Sequence, residues 1–89
     1  VLKLKAYYNL KDFDTVLNTA KSMNPLNYPP NLKTSFYLTL GDTYSSKGYY
    51  DYAFKNYLDA RRSNTDSRSK RTINKRIVQT IPLNLNFEN

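Results

Sequence analysis

Glycine occurs at only two positions in this chain, and one of them, Gly41, stands in the middle of an apolar helical face. Tyr37, Leu40, Gly41 and Tyr44 recur at i, i+3, i+4 and i+7, the spacing that lines up one side of an α-helix. A residue without a side chain on such a face lets a second helix come close where the two cross. The other glycine, Gly48, follows Lys47 at the point where the helix should end, because glycine takes the left-handed C-cap conformation at little cost. Beyond it a second helical face runs through Tyr50, Ala53, Phe54, Tyr57, Leu58 and Ala60. The small residue Ala53 suits the same crossing, with Tyr44, Tyr50 and Tyr57 filling the volume beside it. The stretch Thr34–Thr65 therefore reads as an antiparallel helical hairpin.

The order Tyr37-x2-Leu40-Gly41-x2-Tyr44, followed by Ala53-x3-Tyr57 and Ala60, resembles the tetratricopeptide repeat (TPR). Tyrosine stands where that family usually has Trp and Phe, and Thr65 stands near its usual proline. The resemblance implies an all-α fold of antiparallel helix pairs, a fragment of a right-handed α-solenoid. It also implies that the first helix of each pair lines a concave groove for a protein or peptide partner. Carried onto this chain, the groove positions are Ser35, Leu38, Asp42, Ser45 and Ser46. The Lys, Asn and Arg with which a chaperone-binding subfamily clamps a terminal carboxylate are replaced here by Leu38 and Asp42, so that clamp is not implied.

Upstream, Leu2, Leu4, Tyr7 and Tyr8 mark a helix over Val1–Leu10, and Phe13, Val16, Leu17, Ala20 and Met23 mark another that ends before Asn24-Pro25. A shift of 37 residues places Tyr7 on Tyr44, Phe13 on Tyr50 and Asp14 on Asp51, which is an internal repeat. In this first copy Leu4, Lys11 and Val16 occupy the places of Gly41, Gly48 and Ala53, so its helices are expected to cross less closely. The excess over the roughly 34-residue period of the family lies in the connector. There Pro25, Pro29 and Pro30 argue against helix and for an extended link.

Downstream, Thr65 or Asp66 can N-cap a further helix. Ile73, Ile77, Val78 and Ile81 fall on one face of it and Arg68, Arg71, Lys75 and Arg76 on the other, with Pro82 as its stop. This helix reads as a cap of the kind a solenoid needs to cover its last stacking face. The tail over residues 82–89 alternates apolar and polar residues, as a strand or a segment packed on the cap would.

Function is bounded mainly by what is missing. There is no His and no Cys, which removes the commonest acid–base, thiolate and zinc chemistry. Asp42, Asp51 and Asp59 are spaced as ordinary solvent-facing helical residues, and neither glycine belongs to a phosphate-binding loop. No catalytic residue, cofactor or metal ligand is assigned, and the chain is not expected to be an enzyme. No apolar run is long enough to span a membrane. The formal charge is +7, and Arg61, Arg62 and Lys70 join the four cations of the last helix in one basic stretch. Such density attracts phosphate backbones, but no aromatic residue interleaves it to stack on bases.

The expected organisation is one domain over 1–89. A divergent repeat (1–24), a proline-rich connector (25–31) and the best-formed repeat (32–65) precede a capping helix (66–81) and a tail (82–89). The chain opens on Val1, as a piece of a longer protein would. The expected function is non-catalytic recognition, a scaffold or adaptor module that takes a protein or peptide in the groove or stacks with further repeats. Self-association through an apolar end at Leu2, Leu4 and Tyr8 is a second mode of partnering. The alternative is an accessory domain that contacts nucleic acid through the basic segment 61–76. Residues 49–81 also resemble the repeats of bacterial cell-envelope adaptors and lipoproteins. That resemblance leans toward the cell envelope, with the cytoplasm an equal alternative.

Overall fold

The computed structural model describes residues 1–64 and 66–85, the last four as backbone only. Five α-helices and one 3₁₀ turn make up these residues, with no strand among them. In chain order they are α1 (Leu2–Asn9), α2 (Phe13–Lys21), the 3₁₀ turn Pro25–Asn27, α3 (Pro30–Ser46), α4 (Tyr50–Ser63) and α5 (Ser67–Leu85).

The two hairpins share one turn. After α3, Gly48 takes φ +85°. Its N–H donates to the Ser45 carbonyl at 3.1 Å, while that of Tyr49 donates to the Tyr44 carbonyl at 2.9 Å. After α1, Lys11 takes φ +61°, and the N–H groups of Lys11 and Asp12 donate to Tyr8 at 2.9 Å and Tyr7 at 3.0 Å. Both are Schellman closures, which satisfy the last carbonyls of a helix. Asp12 and Tyr49 then open the next helices with nearly the same backbone angles, φ −91° in each. Every one of these positions is offset by 37 residues, so the two turns match in position as well as in geometry. Lys11 does with a side chain what Gly48 does without one, and an L-residue in that region carries a steric cost.

Helix α3 is central, with an apolar cluster on each side. One joins Leu4 of α1, Val16 and Ala20 of α2 and Phe36 of α3. The other joins Ala53, Tyr57 and Ala60 of α4 to Ile73 and Ile77 of α5. Half-buried Tyr37 packs against both. Two buried sides require more core residues on α3 than one apolar stripe supplies. Thr34, Thr39 and Thr43 are buried as well, and each hydroxyl donates at 2.8 Å to the carbonyl four residues earlier. A threonine that bonds its own helix in this way is satisfied and presents its methyl to the core.

Gly41 and Tyr57 form the tight crossing. A Cβ built on Gly41 would lie 3.1 Å from Cζ of Tyr57 and closer to Cδ1 and Cε1. The tyrosine ring thus occupies the volume a side chain at position 41 would need.

Several expectations require correction. In the first hairpin Leu4 and Val16 are fully buried where the second has Gly41 and Ala53, so larger side chains fill its centre. The prolines hold the connector extended only at Tyr28 and Pro29. Pro25 opens a 3₁₀ turn capped by the Asn24 side chain, which accepts from the Leu26 N–H at 3.2 Å. Pro30 is the first residue of α3, where its missing N–H would have had no partner anyway. Pro82 does not stop α5, which runs on to Leu85. A proline near a helix end already has a helical φ and removes one hydrogen bond. The stripe that α5 buries is Ile73, Ile77 and Thr80, whereas Val78 is 62% and Ile81 39% exposed. Position 65 and the alternating tail beyond 85 lie outside the described residues, and Asp66 is the residue that caps α5.

Candidate functional site

Residues of α1, α3 and α5 come together on one side of the bundle. Two cavities open there. The larger, about 280 Å³, is lined by Lys5, Tyr8 and Asn9 of α1, Ser35, Leu38, Thr39 and Asp42 of α3, and Arg76 of α5. The smaller, about 200 Å³, is lined by Asn31, Thr34, Ser35 and Leu38 of α3 with Asn64, Asp66 and Ser69. Ser35 and Leu38 line both, so the two cavities lie side by side along α3. Their lining residues are polar types except for Leu38 and Tyr8, yet carbon atoms supply more than half of the exposed lining.

The anchor of the larger cavity is a chain of three side chains from three helices. The Tyr57 hydroxyl donates to Asp42 Oδ1 at 2.6 Å, and Arg76 Nη1 donates to Asp42 Oδ2 at 2.8 Å. Asp42 is 21% and Arg76 37% exposed, so the pair is half-buried and still reachable from the groove. Burial pushes the Asp42 carboxyl above its ordinary range, against the pull of the Tyr57 hydrogen bond and the Arg76 charge. Burial, reinforced by the hydrogen bond to Asp42, holds the Tyr57 phenol far above its usual range, so it remains a neutral donor. Asp42 is therefore not the ordinary solvent-facing residue that its spacing suggests. It faces the groove and is also fastened to the helix crossing, so replacing it perturbs both.

At the far end Asp66 accepts from the Ser69 hydroxyl at 2.8 Å and from the N–H groups of Arg68 and Ser69, each at 3.3 Å. The Ser69 hydroxyl first, and then the two N–H groups, hold its carboxyl below the usual value.

Of the expected groove residues, the structure brings Ser35, Leu38 and Asp42 together and leaves Ser45 and Ser46 out. Those two end α3 beyond both cavities, with the Ser45 carbonyl used in the turn. Lys5, Asn9 and Arg76 were missed as groove residues. The 37-residue offset places Lys5 on Asp42, and this was the available signal for the first of them. Nothing local marks Arg76, which was grouped with the outward basic face. Arg68, Arg71 and Lys75 do lie exposed on α5, while Arg76 turns to Asp42. The apolar end is also smaller than expected, since Leu4 is buried and half-buried Tyr8 packs against Phe13 at 5.7 Å. Leu2, 84% exposed, remains of it.

Among the described residues no three of His, Cys, Asp and Glu gather in a way that would hold a metal ion. No helix among them is long and apolar enough to cross a membrane. Comparison with protein-family models, curated proteins and solved structures finds no match to the chain.

Proposed function

We propose that the chain is a tetratricopeptide-type recognition module that takes an extended segment of a partner polypeptide in the α1–α3–α5 groove. The placement of two adjoining cavities along α3 supports this most directly. Two cavities that share Ser35 and Leu38 offer alternating polar contacts along one helix, which suits an extended peptide better than a compact small molecule. The turn repeated at a 37-residue offset supports the repeat reading, and α5, which covers α4 with Ile73, Ile77 and Thr80, supports its role as a cap.

The test is a selection from a displayed peptide library, followed by titration of the enriched peptides against Leu38→Glu and Ser35→Arg variants whose helicity is unchanged. Loss of binding in both variants supports the groove. Peptides that bind all forms equally refute it.

A second reading, contact with nucleic acid, draws on Arg68, Arg71 and Lys75, which are exposed and form no ion pair among the described residues. With Arg76 turned inward, three of the four patch cations, Arg68, Arg71 and Lys75, remain for phosphate contacts. The log–log dependence of affinity on salt should then have a slope of about −3 for duplex DNA, with weak and sequence-independent binding.

A further inference from the structure

The acids and the cations of the groove stand in different situations. Asp42 accepts from Tyr57 on one oxygen and from Arg76 on the other, and Asp66 accepts from three donors at the start of α5. Both carboxylates are thus engaged within the fold. Arg76 gives Asp42 only Nη1, and among the described residues its other N–H groups have no partner. Lys5, exposed on the rim of the same cavity, forms no ion pair among the described residues. Tyr8, Asn9 and Ser35 add neutral groups that can donate or accept. The cavity therefore holds one positive charge in excess, with donors of Arg76 and Lys5, unpaired among the described residues, facing it.

We propose that this cavity receives an acidic side chain, Asp or Glu, of the bound segment, with Arg76 and Lys5 contacting its carboxylate and Asp42 and Tyr57 positioning Arg76. This rests on the groove reading and specifies its partner. A guanidinium already held at one nitrogen loses less freedom when its remaining donors meet a second carboxylate. The segment runs through and does not end at this point, because a second cavity lies beyond Leu38, toward Asn64 and Ser69, for the residues that follow. The chain's charge of +7 also steers an acidic partner toward it.

The experiment is fluorescence anisotropy with the full chain and labelled decapeptides of alternating Glu and Ser, acetylated and amidated, alongside the same peptide with Gln for Glu. The Glu peptide should saturate and bind at least about tenfold more tightly than the Gln peptide. Arg76→Gln and Lys5→Gln should each remove most of that difference, while Arg76→Lys retains part of it. Tyr57→Phe, which keeps the ring but removes the hydroxyl that holds Asp42, should weaken binding about threefold at unchanged helicity.

Equal binding by the two peptides, or no binding by the Glu peptide, overturns the proposal. If library peptides still depend on Leu38 in that case, the groove reading survives and only the acidic subsite fails. Tighter binding by a neutral peptide with a free C-terminal carboxylate overturns the through-running geometry. Loss of affinity in an Arg68→Gln, Arg71→Gln, Lys75→Gln triple variant but not in Arg76→Gln assigns the attraction to the outer basic face and also overturns it.

Discussion

Adding one methyl group at Gly41 tests the packing on which the bundle depends. In Gly41→Ala the new Cβ would stand 3.1 Å from Cζ of Tyr57 and nearer still to Cδ1 and Cε1. That is well inside the roughly 3.5–4.0 Å optimum for carbon contacts. The ring has little room to yield, since Tyr57 is only 3% exposed and its hydroxyl is held 2.6 Å from Asp42. Overpacking costs about 1–3 kcal/mol, and a ring that does move forfeits a hydrogen bond to a carboxylate, about 1.5–3 kcal/mol. Against this, alanine is favoured over glycine inside a helix by about 1 kcal/mol. The net expectation is a loss of about 1–3 kcal/mol, read as a lower urea midpoint at unchanged slope in far-UV circular dichroism. In a Tyr57→Ala background the same substitution should become neutral or stabilising by up to about 1 kcal/mol, because only helix propensity remains. A Gly41→Ala chain as stable as the parent would falsify this account of the crossing.

Three further outcomes can be checked with the same denaturation assay. Leu4→Ala should cost about 2–5 kcal/mol, whereas Leu2→Ala, at an exposed site two residues away, should fall within about 0.5 kcal/mol of the parent. Lys11→Gly should stabilise and Gly48→Ala destabilise, each by about 1 kcal/mol, because both positions hold a positive φ. The third outcome concerns pH. The folded chain binds a proton on Asp42 more tightly than the unfolded chain, so that contribution is full below the ordinary value of 3.8 and is lost as pH rises through the raised one. Asp14, lowered mainly by the Lys47 hydrogen bond, and Asp66, lowered mainly by the Ser69 hydroxyl, act in the opposite sense and lose their contribution as pH falls. Asp42→Asn should therefore flatten the decline of stability on the neutral side of 3.8 and leave the loss on the acid side.

Local periodicity and turn chemistry carried the helices and their hairpin turns in the sequence, because a helical face and a C-cap are decided within a few residues. That Gly41 marks a close helix crossing was legible for the same reason, but its partner there is the Tyr57 ring and not the small Ala53. Lys11 in a left-handed turn was not, since nothing about lysine announces a positive φ. Only its place opposite Gly48 in the repeat hinted at it. The buried threonines escaped notice because an i−4 hydrogen bond satisfies the hydroxyl that marks them as polar. They became core residues when α3 acquired neighbours on two sides. Pro30 and Pro82 show that a proline's effect depends on where it stands in a helix, which composition alone does not state.

The groove was legible only along α3. Its chemistry was set by contacts between residues far apart in the chain, Asp42 with Tyr57 across 15 positions and with Arg76 across 34. A half-buried carboxylate needs partners that face it. Which arginine of a basic helix serves, and which ones stay in solvent, depends on the rotation of α5 against α4 and α3. That rotation follows from the burial of Ile73, Ile77 and Thr80 in place of Val78 and Ile81. Helical spacing leaves both stripes open, and the packing of the assembled bundle selects one.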